Sequence, residues 1–256
     1  MSRCCICVIA LGLVLPAVAA AETNGWKTIK MDHFVVTFQG DEAYALRMGR
    51  AAESLLDRVM RELGYLQRDR FWLWENRCRI RIYRTRAGFR GVVGTPEWAG
   101  GRADYGERLV ETFEGSETFA DHVLPHELTH LVFREFIGFQ GDVPGWLDEG
   151  VAQWVGAKLS GTALPAPPRV PMALRAMTAV DLRTADRATA AVVYAQSAAV
   201  VDFLTRTRGK ERFTDFCRRL RDGRSLDDAL GFTYGAELRN IEALDDAWRK
   251  GREEKP

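Results

Sequence analysis

His126-Glu127-Leu128-Thr129-His130 places two imidazoles and a carboxylate within five residues. On a helix, residues four apart lie about 40° apart around the axis and roughly 6 Å along it, so both rings can reach one metal ion. Glu127 then stands beside that ion and can take a proton from a water activated there, the reason a carboxylate belongs between two such ligands. Two histidines leave a zinc ion short of a protein ligand. The next candidate is Glu149 in Gly145-Trp146-Leu147-Asp148-Glu149-Gly150, after eighteen intervening residues. With that segment helical, Gly145, Ala152, Gln153 and Gly156 share the side of Glu149, while Leu147, Val151, Trp154 and Val155 lie opposite. Small residues around the carboxylate let the second helix approach the first closely, as a shared ion requires. Two histidines and one glutamate leave a fourth position for water, the arrangement of a catalytic rather than a structural zinc site.

The helix that carries the two histidines is expected over Thr118 to Ile137. Pro125 belongs in its first turn, where a missing N–H costs little, which places the start close to Asp121. Leu128, Leu131, Val132 and Phe136 face away from the histidines, yet Phe133 and Ile137 return to the histidine side. A helix apolar nearly all round is buried between two layers, which suits the floor of a cleft. Glu149 rides on a helix over Gly145 to Leu159, entered at Pro144.

Before these helices the chain reads as a mixed lobe. Trp26 to Met31 and His33 to Phe38 suit strands, and Asp41 can cap a helix that runs to a stop at Gly64. Cys78 to Tyr83 alternates strictly, a strand with one buried face and its arginines on the solvated side. A glycine-rich connection, Gly88 to Gly101, leads to one or two strands within Ala103 to Phe113, the last an edge. After the site come helices over Ala188 to Arg208, Lys210 to Asp222, Leu226 to Leu230 and Ala236 to Lys250. Ser160 to Pro171, with four prolines, is a surface loop. The reading is an α+β domain over 22–256, with a sheet lobe (22–116), the zinc-site helices (117–159) and a helical lobe (160–256).

Residues 1–21 read as a secretory signal peptide: Arg3 near a short basic start, an apolar run from Cys4 to Pro16, and small residues up to Ala21. A retained anchor is the alternative. The apolar run is short for a membrane span, and no later stretch is read as long and apolar enough to cross a bilayer. The expected location is periplasmic or secreted. Of 36 basic and 35 acidic residues only Arg3 leaves with the leader, so the remainder is neutral and nucleic acid is not an expected partner. Cys78 and Cys217 remain, either paired or as two separate buried thiols.

Other polar candidates compete with the motif. His122 lies eight residues from His130, about 12 Å along a helix, too far to share an ion, and suits a cap or a surface. His33, at a strand start, is expected to bind nothing. Asp148 either orients a ligand or stands exposed at the helix start, with Gln153 as its rival.

The HELTH segment, the eighteen-residue spacing and Trp-Leu-Asp-Glu-Gly-Val-Ala resemble the gluzincin zinc metallopeptidases, most of all the peptidase MA-like family. The resemblance implies zinc held by His126, His130 and Glu149, with Glu127 as general base. It also implies a thermolysin-like zincin architecture, a twisted mixed sheet packed on the active-site helix with a C-terminal helical lobe. A tyrosine at a similar point of the family's helical lobe implies Tyr194 as the donor that holds the oxyanion, ahead of Tyr105. The aminopeptidase branch shares the spacing but anchors a free amino terminus with a Gly-Ala-Met-Glu-Asn-like segment. Ala99-Gly100-Gly101-Arg102 stands in that region without the glutamate, which favours an endopeptidase or a narrow-specificity peptidase. The expected activity is therefore zinc-dependent hydrolysis of a peptide or protein substrate outside the cytoplasm. The alternative is a non-catalytic periplasmic protein whose zinc site shapes a cleft for a peptide or partner, and hydrolysis of a non-peptide amide would use the same chemistry.

Overall fold

Strict alternation in Cys78–Tyr83 buries Cys78, Ile80 and Ile82 on one face, and this strand, β3, sits at the centre of a five-stranded sheet. The computed structural model describes residues 25–253 except 66–70, 94–98, 117, 139–142 and 183. The leader read over Met1 to Ala21, with Cys4, Cys5 and Cys7, lies outside the described residues.

The first two strands are β1 (Lys27–Lys30) and β2 (Phe34–Phe38), and β4 (Gly101–Asp104) and β5 (Leu109–Phe113) follow β3. The sheet order is β1-β2-β3-β5-β4, with β2, β3 and β5 parallel and β1 and β4 antiparallel at the two edges. The last strand is thus not an edge, as the sequence suggested. The crossover from β3 lays β5 parallel beside it and leaves β4 outermost. That crossover contains a helix, α2 (Arg86–Val93), which the glycines of the connection concealed. Phe89 anchors α2 to the outer face of the sheet, its ring 5.9 Å from Tyr83 and 5.7 Å from Phe113. Arg79 and Arg81 lie on that outer face, but Arg81 also pairs with Glu111, a buried carboxylate that Arg102 and the Tyr83 hydroxyl contact as well.

The other face carries Phe34, Val36, Phe38, Ile80, Ile82 and Val110 into the core. Helix α1 (Glu42–Leu63) covers it, capped by the Asp41 side chain on the Ala43 N–H and closed by Gly64 at φ 70°. Next come α3 (Leu124–Ile137) and α4 (Gly145–Ser160), then α5 (Leu174–Thr178), α6 (Arg187–Arg208), α7 (Lys210–Arg221), α8 (Leu226–Tyr234) and α9 (Ile241–Glu253). Helix α5 follows the proline-rich loop and is too short to read from periodicity. Between α8 and α9 a 3-10 turn, Gly235–Leu238, delays the start of α9 from the expected Ala236 to Ile241. Helix α6 corrects another expectation: its 22 residues are long and apolar enough by composition to cross a bilayer. Its apolar character serves the core instead, where Val193, Ala198, Val200, Val201 and Leu204 are buried and α4 is its main neighbour.

The α4–α6 contact is set by Gly150. A Cβ there would stand 2.6 Å from the Ser197 carbonyl oxygen and 2.9 Å from Val201 Cγ2, so only glycine allows the two backbones to meet. Gly150→Ala is expected to destabilise the fold by about 1–3 kcal/mol, as overpacking does. Gly156→Ala, whose Cβ would meet only ordinary contacts at 3.5 Å from His126, should be neutral or stabilising by up to about 1 kcal/mol through helix propensity. Urea unfolding of the two variants checks this contrast; equal midpoints would refute it.

Candidate metal centre

Helix α3 lies between the sheet with α1 on one side and α4 on the other, and Leu124, Leu128, Leu131, Val132, Phe133 and Ile137 are all buried. Its entry is unusual. Phe119–Val123 forms a π turn before α3 opens at Leu124, so Pro125 sits in the first α-helical turn, as expected, but the preceding turn is wider than an α-helix. Pro125 lacks the N–H that would extend the α ladder backwards.

His126 and His130 stand one turn apart on α3, and their Nε2 atoms are 3.1 Å from each other. Glu149 on α4 brings its Oε2 to 3.6 Å from His126 Nε2 and 3.4 Å from His130 Nε2. The small face of α4 contributes as the sequence suggested at Gly156, which lies against the His126 backbone, and at Ala152, whose backbone lies near enough to the His126 ring to act on it. Gly145 faces open space and contributes nothing to this approach.

Whether a metal ion fits can be judged on Glu149. Its Oε2 is buried and has no hydrogen-bond partner, a costly state for a carboxylate oxygen. Ligand atoms held at zinc distances of about 2.0–2.1 Å in a tetrahedral site stand roughly 3.3 Å apart, close to the separations found. Among the described residues, His126, His130 and Glu149 form the group of side chains able to hold a metal ion. Two imidazoles and a carboxylate are a donor set suited to zinc.

Asp148 resolves an alternative that the sequence left open. It is not exposed at the helix start but buried at 4 % exposure, with Oδ1 3.0 Å from His130 Nδ1 and Oδ2 3.0 Å from Arg134 Nε. Asp148, not Gln153, therefore orients His130 so that Nε2 points to the shared ligand point. Burial opposes a charge on His130, but Asp148, with Tyr105 and Glu149, outweighs it and raises the imidazole well above its usual range. His126 goes the other way, lowered to about 4 by burial and by the charge of His130.

Glu127 is partly buried beside this group. Burial pushes its carboxyl up to about 7, with Glu149 and Asp148 adding, against the pull of His130 and of the Ala103 backbone amide on edge strand β4. A carboxyl near neutrality is matched to taking and returning a proton. Tyr194 on α6 is partly buried, and burial together with Glu149 raises its hydroxyl to about 12, with His130 and Glu127 also in electrostatic reach. Tyr105, in the β4–β5 turn, comes closer to the site than its place in the sequence suggested. Its ring lies 5.7 Å from that of His130, and Arg134 sits 5.8 Å over its centre.

The remaining candidates stay apart from the centre. His122 is exposed in the π turn, and His33 is tied to Glu53 through Nδ1 at 2.7 Å, joining β2 to α1. Cys78 and Cys217 are buried and unpaired, and burial raises both thiols.

No curated protein matches the chain. A sequence model described as the Peptidase MA superfamily matches residues 73–251, a span that holds β3 to β5 and nearly all of the helices from α2 to α9, and on that match the chain belongs to the Peptidase MA superfamily.

Proposed function

We propose that this chain is an exported zinc-dependent peptidase of the gluzincin type, an endopeptidase or a narrow-specificity peptidase that hydrolyses peptide bonds of a peptide or protein substrate. The observation that carries the reading is the buried, partnerless Glu149 Oε2 facing two imidazole Nε2 atoms, with Glu127 alongside. His126, His130 and Glu149 would hold the zinc, which supplies Lewis-acid polarisation of the scissile carbonyl and eases deprotonation of the attacking water. Glu127 accepts that proton and returns it to the leaving amine. Asp148 and Arg134 hold His130 in its tautomer and orientation. Ala103 keeps an edge strand beside Glu127, where an extended substrate backbone can lie along β4. The sheet above α3 and the helices beyond it support a thermolysin-like arrangement. The basic start, apolar run and small residues within 1–21 support export to the periplasm or beyond.

Tyr194 is the proposed oxyanion donor, supported by its place among Glu149, His130 and Glu127. Tyr194→Phe is expected to keep zinc binding and lose on the order of 10²–10³ in kcat, the cost of one such donor. Unchanged turnover would remove the role from Tyr194 and turn attention to Tyr105.

The deciding experiment is cleavage profiling of the purified protein on a peptide library, with zinc and with a chelator. Cleavage that the chelator stops and zinc restores is expected. Cleavage indifferent to the chelator would refute the mechanism. Stoichiometric zinc without cleavage would favour the non-catalytic peptide-binding alternative.

A further inference from the structure

A cavity lies away from the metal centre, at the C-terminal end of α3. Its volume is about 520 Å³, within the range of small-molecule sites, and none of His126, Glu127, His130, Glu149 or Tyr194 lines it. Its walls come from α1, the segment before β3, the β4–β5 turn, α3 and α7, so five separate parts of the chain converge on it.

Two features give this cavity a chemical preference. The first is flat apolar surface: Tyr65 stacks on Phe136 at 3.7 Å and Phe71 on Trp72 at 4.8 Å, and all four residues line the space. The second is an excess of positive charge. Arg108, Arg218 and Arg221 line the cavity against one carboxylate, Glu135, which Arg108 already engages. The partners of Arg218 and Arg221 are Asp215 and Asp222, exposed side chains that do not border the cavity. Arg221 lies 5.3 Å over the Phe136 ring, which holds its guanidinium at the aromatic wall.

Arg218 and Arg221 are both within electrostatic reach of the Tyr65 hydroxyl. Arg218 and Arg221 thus stand at the cavity as two cations without a carboxylate of their own in it. An acceptor-rich negative group in the cavity would pair with these two arginines.

We propose that this cavity is a binding site for a small organic anion with a flat aromatic body, its ring at the wall formed by Tyr65, Phe71 and Phe136 and its negative group on Arg218 and Arg221. The site is independent of the metal centre and of the peptidase reading.

The test uses 2-naphthoate as probe, with 2-naphthylmethanol as its neutral counterpart, titrated calorimetrically into the full chain with and without zinc. Saturable 1:1 binding of naphthoate is expected, at least about tenfold tighter than the alcohol and the same in both metal states, tenfold being about 1.4 kcal/mol. Replacing Arg218 and Arg221 together by Gln should weaken it about tenfold or more, since charge-assisted hydrogen bonds are the strong ones. Both arginine side chains are partly exposed, so this replacement should leave the melting temperature unchanged, which separates binding from folding. Equal affinity for the alcohol, no saturation at millimolar naphthoate, or binding that survives the arginine replacements would overturn the proposal. Binding that requires zinc would place naphthoate at the metal centre and overturn it as well. Loss of peptide cleavage has no bearing on any of these outcomes.

Discussion

Glu127→Gln is expected to bind zinc as tightly as the parent chain and to lose on the order of 10²–10⁴ in kcat, the usual contribution of a positioned general base. The substitution keeps the shape of the side chain and removes only its ability to take a proton. None of the three ligand atoms that meet at the metal centre belongs to Glu127, so metal content should not change. Stability should not fall either. Burial and the neighbouring charges of Glu149 and Asp148 penalise a carboxylate at this position, as its raised pKa reflects. A neutral amide escapes that penalty, so the variant should melt at the same temperature as the parent or higher. The combination of retained zinc, retained stability and lost turnover is specific to a residue that works on the reacting water. Peptide cleavage at the parental rate would remove Glu127 from the mechanism, and loss of zinc would make it a ligand or a structural support instead.

Local periodicity carried most of what was legible in the chain. The spacing of His126 and His130 needs only the helical repeat to bring their rings together, and Glu149 could be placed because small residues marked the face of α4 that approaches α3. Strand β3 was equally plain, since alternation marks one buried face whatever lies above it. What escaped depended on contacts distant in sequence. The order of β4 and β5 turns on the crossover through α2, whose glycines hide its helical character. Gly150 carries no local signal of its role, which comes only from α6 packing against it. Tyr105 reaches His130 only because the β4–β5 turn folds over α3, a placement no local pattern encodes. Asp148 is the sharpest case: the same residue at the same helix start would be solvated if Arg134 and His130 did not stand opposite. The signal was present as an arginine and a histidine four apart on α3, but which carboxylate they would meet required the α3–α4 packing.

That packing makes Asp148 the position whose change should spread furthest. Its carboxylate accepts from His130 through one oxygen and from Arg134 through the other, and it has almost no contact with solvent. Asp148→Asn keeps the volume but loses the charge, and its amide can satisfy only one of the two donors with its oxygen. His130 then loses the partner that fixes its tautomer, and zinc affinity is expected to fall about 10- to 100-fold, the usual cost of removing such support. By linkage, the extra stability conferred by a fixed excess of zinc should fall by about 1.4–2.7 kcal/mol, measurable by urea unfolding with and without the metal. Asp148→Ala goes further, since it leaves the Arg134 and His130 charges buried without a counter-charge. A loss of about 3–5 kcal/mol in the metal-free protein is expected from breaking a buried pair on one side. Arg134→Gln supplies the comparison: the His130 contact survives, so zinc affinity should change by less than in Asp148→Asn. If instead Arg134→Gln weakened zinc as much as Asp148→Asn, the arginine rather than the carboxylate would be holding His130. If neither change moved zinc affinity, the Asp148 contact would serve the fold alone.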